Sequence, residues 1–385
     1  MATLAERIAQ FHQTAEPRYD HGGHAGMRWV IDGNALAFAE HAGTLDPGMA
    51  ARVTTLSREA LARHGGVLDE RQHLGRVRQC HGDLHLRNIV LIDDEPTLFD
   101  GVEFNDEIAC VDVLYDLAFL LMDLLKRDLP VHANLLFNRY LDITHDLDGL
   151  SIVPLFLSCR AAIRAKISAS AAALQPDVKS REAEELRGCA REYLAMAEGL
   201  IAPARPVFVA VGGLSGSGKS TLAARLAPQI GGAAPGAIVL RSDVIRKSLF
   251  DQRAEVRLGP EAYTGAVTDR VYGLMRDRAS AALAAGYAAV ADAVYTDPQK
   301  RAASAEVARR AGVPFIGLWL DVPAESLERR LAQRRGDASD ATLDVLRQQL
   351  ATEIGPLDWA HIDASREVVE IERIARDIVD DVEPR

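Results

Sequence analysis

Two regimes of apolar patterning divide this chain. Before about residue 200, apolar positions recur at helical spacing, and Leu4, Ile8 and Phe11 share one face of a first helix. Residues 1–79 read as mainly helical, with a glycine- and histidine-rich loop at His21-Gly22-Gly23-His24 and helical stretches near Ala35–His41 and Pro47–His64. Two short apolar runs, Ile89–Ile92 and Thr97–Phe99, flank the turn Asp93-Asp94-Glu95-Pro96 and predict a hairpin. Residues 131–200 are helical and alanine-rich, closed by a charged helix from Ser180 to Gly199. Arg160, Arg164 and Lys166 in this stretch read as a solvated face. After residue 206 the pattern changes. Short unbroken apolar runs (Val207–Val211, Ala237–Leu240, Ala288–Ala291, Pro314–Leu320) alternate with helical stretches. A strand buried on both faces needs such a run, so the alternation predicts a parallel sheet flanked by helices. The expected fold is α/β: a mostly helical unit over 1–200, a proline-marked linker over 201–206, and a parallel-sheet domain over 207–385.

Length and composition agree with two soluble domains: 385 residues, 48% apolar and 26% charged. The net charge of −11 is uneven, because residues 205–385 carry 24 basic and 25 acidic side chains, which leaves 20 and 30 before them. Neither half is basic, which disfavours nucleic acid and anionic membranes as partners. The four cysteines form no C-x-x-C pair, so reduced thiols and a cytoplasmic location are expected. The N-terminus lacks a basic-then-apolar signal, and the most apolar window, Val111–Leu125, is interrupted by Asp112, Asp116 and Asp123.

The strongest chemical signal lies at the first strand of the second domain. Gly213-Leu214-Ser215-Gly216-Ser217-Gly218-Lys219-Ser220-Thr221 fills every position of G-x-x-x-x-G-K-[ST]. The strand Val207–Val211 leads in and the helix-forming run Leu222–Ala227 leads out. In that order, glycines turn backbone amides toward a polyphosphate and the helix N-terminus adds positive potential. The motif predicts an ATP site in which Lys219 meets the β- and γ-phosphates and the Ser220 hydroxyl holds Mg²⁺.

Further candidates stand at the carboxyl ends of the later strands, where open α/β sheets bind ligands. Asp243 and Arg246, spaced i, i+3, follow the run ending at Leu240. Asp243 would take a proton from an acceptor hydroxyl and Arg246 would hold an anionic group; the alternative is a helix-start residue beside a solvated one. Asp292 ends the next strand, where it would order Mg²⁺ through water. Arg330 and Arg334, at i, i+4 before Gly336, suit a lid that offsets charge on the phosphates, or ordinary compensation of a helix C-terminus.

In the first half, His81-Gly82-Asp83-Leu84-His85-Leu86-Arg87-Asn88 matches H-x-D-x-x-x-x-N, with Phe99-Asp100-Gly101 returned toward it by the hairpin. In that chemistry Asp83 accepts a hydroxyl proton while Asn88 and Asp100 hold Mg²⁺. On these residues, with Asp112 and Asp116-Leu117-Ala118, residues 1–200 resemble the carboxyl-terminal lobe of the aminoglycoside phosphotransferase and choline kinase-like family. That family's nucleotide-clamping lobe has no counterpart here: no G-x-G-x-x-G precedes His81, and the first lysine is Lys126. The lobe is therefore a truncated copy, a degenerate scaffold, or one that borrows nucleotide from elsewhere.

Residues 205–385 resemble the P-loop kinases of the gluconate kinase, polynucleotide kinase and zeta-toxin type, through Gly213–Thr221, Asp243-x-x-Arg246, Asp292 and the arginine pair. That resemblance implies an ATP- and Mg²⁺-dependent kinase acting on a hydroxyl of a small molecule. Two alternatives stand beside it: a 5′-hydroxyl nucleic-acid kinase, and a nucleotide-sensing regulator with the first half as docking module.

Overall fold

The chain folds as two units, Met1–Pro203 and Ala204–Arg385, which a computed structural model describes over residues 1–333 and 339–382. In the first unit, α1 (Ala2–Thr14), α2 (Gly23–Glu40) and α3 (Pro47–His73) precede β1 (Val77–Gln79). Asp46 starts α3 by accepting the Met49 amide at 2.6 Å, with Pro47 at the first helical position. The hairpin of β2 (Ile89–Ile92) and β3 (Glu95–Leu98) turns on Asp93 and Asp94, both with positive φ (51° and 62°). The turn is thus two residues tighter than the sequence suggested, because Glu95 and Pro96 already pair with Ile92 and Leu91. Then come α4 (Asp106–Ala109) and β4 (Cys110–Asp112), which pairs antiparallel with β1. Four helices close the unit: α5 (Val113–Lys126), α6 (Pro130–Thr144), α7 (Val153–Ala173) and α8 (Arg181–Ile201).

The apolar window falls largely on α5, whose residues Val113–Leu124 are all buried. Among the described residues no helix is long and apolar enough to cross a membrane. Three local expectations are corrected by packing. Gly23 and His24 begin α2 rather than lying in a loop. His12, not Phe11, completes the buried face of α1, because its ring bonds the Tyr140 hydroxyl (3.0 Å) and Asp116 (3.1 Å). Arg160 is not solvated: its guanidinium is buried over the Tyr115 ring at 3.9 Å and donates to the Tyr115 carbonyl at 3.1 Å.

The same unit buries a charge cluster that no local pattern announces. Arg71 on α3, 3% exposed, donates to both oxygens of Asp112 (2.7 and 2.9 Å) and both of Asp146 (2.5 and 2.8 Å). Removing one partner from a buried ion cluster costs about 3–5 kcal/mol, because the remaining charges stay desolvated. Arg71→Ala is therefore expected to lower the melting midpoint of this unit by about 6–20 °C in calorimetry. A shift of a degree or two would mean that Asp112 and Asp146 are satisfied without it.

The second unit alternates strands and helices: β5 (Phe208–Gly213), α9 (Lys219–Leu226), β6 (Ile238–Arg241), α10 (Ser242–Ser248), α11 (Gly265–Ala284), β7 (Ala289–Asp292), α12 (Pro298–Ala311), β8 (Phe315–Asp321), α13 (Ala324–Gln333), α14 (Leu343–Leu350), β9 (Ala360–Asp363) and α15 (Val368–Val382). The five strands form one parallel sheet in the order β6-β7-β5-β8-β9. Strand β5 is central, and the chain winds one way from it to β6 and β7 and the other way to β8 and β9. Such a reversal opens a crevice at the carboxyl end of the central strand. Val209 and Val211 of β5 and Leu318 of β8 are fully buried, with Leu222 of α9 and Val379 of α15 in the same core.

Candidate active site

The crevice at the carboxyl edge of the sheet is a cavity of about 1060 Å³. Its floor is the loop between β5 and α9. Gly216 and Gly218 hold φ of 86° and 96°, values that only glycine adopts without strain, and so the loop can wrap the helix start. The Ser217 hydroxyl is buried with no hydrogen-bond partner among the described residues. The Ser215 amide donates to Gln349 Oε1 at 2.9 Å, and Lys219 Nζ donates to the Leu214 carbonyl at 3.0 Å. Ser220 and Thr221 line the same cavity.

Strand register brings the acidic candidates alongside. Asp292 pairs across β7 with Val211 of β5 and with Arg241 of β6, and the Arg241 guanidinium lies 3.6 Å from its carboxylate. Asp243 follows in the first turn of α10, half-buried in the cavity wall. Asp243 thus does stand at a helix start, as its alternative reading expected, and it also lines the cavity; no side chain caps α10 among the described residues. Burial, and then the negative charge of Asp292, raise the Asp243 carboxyl above the ordinary range, against the opposing pull of Ser339, Lys219 and Arg241. Asp292 and the Ser220 hydroxyl line the same cavity, and both are hard oxygen donors of the kind a divalent cation takes.

Arg246 is 7% exposed, not solvated. It donates to the Ala262 carbonyl at 2.6 Å and lies over the Tyr263 ring at 4.9 Å, while its Nε has no partner among the described residues. Arg330 lines the cavity from α13 and donates to the Ala364 carbonyl at 2.9 Å. Arg334 lies outside the described residues.

Several residues in or behind the cavity wall carried no signal in the sequence. Lys247 is buried and pairs with Asp340 at 3.1 Å. Lys300 lies 3.2 Å from Asp269 and over the Tyr272 ring at 4.8 Å. Gln349 reaches the phosphate loop from α14. Each sits on a helix among other polar side chains, and only the tertiary fold turns it inward.

The first unit keeps its own loop. The Asp116 carboxylate accepts the amides of His81 (3.3 Å) and Gly82 (2.8 Å). Burial alone would raise this acid, but His12, Arg160 and His81 outweigh it and hold it below the usual range. Asn88 Nδ2 donates to Asp83 Oδ2 at 3.1 Å, and His85 Nε2 stands 3.4 Å from the same oxygen. The Phe99 amide donates to the Asn88 carbonyl at 3.1 Å, so the hairpin does return the exposed Asp100 to this loop.

A family profile described as an AAA domain matches residues 208–353. An uncharacterized protein of Mycobacterium tuberculosis (strain ATCC 25618 / H37Rv) is 28% identical over 355 residues, 89% of this chain and 68% of that protein. The adenylyl-sulfate kinase of Paraburkholderia xenovorans is 32% identical over 147 residues, 36% of this chain and 75% of the kinase. Among solved structures, a gluconokinase from Sinorhizobium meliloti 1021 is similar at 19% identity and a TM-score of 0.35, covering 46% of this chain and 93% of its own.

Proposed function

The chain belongs, through its second unit, to the P-loop kinase family that includes adenylyl-sulfate kinase, and on that premise we propose that it is an ATP-dependent phosphotransferase acting on a hydroxyl of a small molecule. The observation that carries this reading is convergence: the phosphate loop, Asp243 and Arg246 all line one cavity at the carboxyl edge of the sheet. A hydrolytic switch needs the loop but has no use for an acid with a raised pKa and a buried arginine in the same cavity.

In this reading the loop amides and Lys219 bind the triphosphate, while Asp243 accepts the acceptor's hydroxyl proton. Ser220 and Asp292 would hold Mg²⁺, which neutralises charge on the phosphates. Arg246 holds a polar or anionic group of the acceptor, and Arg330 stands at the phosphate side. The setting is cytoplasmic, where ATP is supplied and the four free cysteines stay reduced. Acceptor-stimulated ADP release across sugars, sugar acids, aminosugars, aminoglycosides and oligonucleotides tests the proposal. Stimulation by oligonucleotides alone would favour a nucleic-acid kinase, and ADP release indifferent to every acceptor would favour a switch.

The first unit is a phosphotransferase-like lobe in a supporting role. The Asn88–Asp83 hydrogen bond supports a related loop, yet residues 1–125 contain no lysine to meet a triphosphate. Asp83→Ala is accordingly expected to leave turnover of the full chain within a few-fold of the parent. ATP-dependent transfer abolished by Asp83→Ala would place the chemistry in the first unit.

A further inference from the structure

The chain carries a hydroxyl of its own at the position proposed for the acceptor. Ser339 lines the same cavity as the phosphate loop, and its side chain hydrogen-bonds the Asp243 carboxylate. That placement is supported by its neighbour. Asp340, whose side chain is 8% exposed, accepts from Lys247 Nζ (3.1 Å), the Leu258 amide (3.0 Å) and the Tyr263 hydroxyl (2.6 Å). Burial alone would raise this carboxyl, but those three donors outweigh it and keep it ionised. Lys247 lies on α10, the helix that carries Asp243, four residues along. The backbone at Ser339 is thus tied to the helix that presents the proposed base. On the other side the same segment runs into α14, where Gln349 meets the phosphate-loop amide of Ser215 at 2.9 Å.

We infer that Ser339 is an autophosphorylation site, modified in cis by the phosphoryl donor bound at Gly213–Thr221. The inference rests on the kinase reading and extends it to an acceptor inside the chain. Ser339 Oγ forms a bond to the γ-phosphorus, and the bond from that phosphorus to the β,γ-bridging oxygen breaks. The bridging oxygen's electron pair leaves with ADP, and the serine proton passes to Asp243. A donated hydrogen bond from hydroxyl to base is the geometry such a transfer starts from. The phosphoserine, carrying about −1.5 to −2 charges, then stands against Asp243. The modified chain should therefore accept an external hydroxyl more slowly.

The experiment uses the full chain, treated with phosphatase and then incubated with MgATP and no acceptor. Intact-mass and peptide mass spectrometry follow, with ADP formation and MgATP affinity measured in parallel. One phosphoryl group on Ser339 is expected, at a rate independent of protein concentration. It should be absent in Ser339→Ala and in Lys219→Ala, and restored at the same position by Ser339→Thr. Asp340→Asn, which weakens the anchor, should slow it by roughly a hundredfold, the usual cost of a small misplacement. ADP formation with no phosphate on the chain, phosphate on another residue, or a rate that rises with protein concentration would overturn the Ser339 assignment and leave the kinase reading standing. No MgATP binding at all would overturn the kinase reading, and this inference with it.

Discussion

Lys219→Ala is expected to lower phosphoryl transfer by at least about a thousandfold and to weaken MgATP binding, while leaving the fold intact. Lys219 opens α9, lines the cavity, and now rests on the Leu214 carbonyl at 3.0 Å, a contact that a triphosphate oxygen would replace. The loop amides supply dipoles, but the ammonium is the full charge the motif places against the β- and γ-phosphates. Its loss should appear in both affinity and rate, because the charge is needed in the bound state and grows more important as charge moves to the leaving ADP. Lys219 is only partly buried, so calorimetric unfolding should barely change. Unchanged MgATP affinity with unchanged turnover would sink the assignment of this loop as the nucleotide site.

Asp243→Asn should separate activity from stability. As a lost general base it should cost about two to four orders of magnitude in transfer, with MgATP affinity retained. Burial and the Asp292 charge raise this carboxyl in the folded chain. The base must be ionised, so transfer in the parent should fall as pH drops through that raised value, at a higher pH than an ordinary carboxylate would give. The stability consequence has the opposite sense. A folded pKa above the unfolded one favours the fold while the group is protonated. That contribution is complete below the unfolded pKa and is lost as pH rises through the folded one. At neutral pH the charged carboxylate therefore costs stability, and the neutral amide should melt somewhat higher than the parent. The gain should shrink in acid. An Asp243→Asn variant that transfers phosphate normally, or that melts lower at neutral pH, would remove Asp243 from the role of strained base.

Conservative and disruptive substitutions in the first unit should look different. There the energetics reside in buried charge (Arg71 with Asp112 and Asp146, His12 with Asp116), and the expected phenotype is unfolding rather than a changed rate.

The sequence by itself determined whatever was contiguous. The phosphate loop was legible because strand, glycines, lysine and helix lie within about twenty residues, and each local preference agrees with the next. Strands β6, β7 and β8 were legible within a residue or two, because a buried parallel strand must be an unbroken apolar run. Asp243 and Asp292 followed from their places at strand ends. Tertiary structure alone decided which charges turn inward. Lys247 and Asp340 are 93 residues apart, and Ser215 and Gln349 are 134 apart. Arg160 reads as part of a solvated face, and Arg71 carries no signal, until α5, β4 and the segment around Asp146 are packed against them. A charged residue's identity does not encode its burial. Burial is set by strand order and helix packing, which join parts of the chain that no local window contains, and the partners that make a buried charge tolerable are assembled only then.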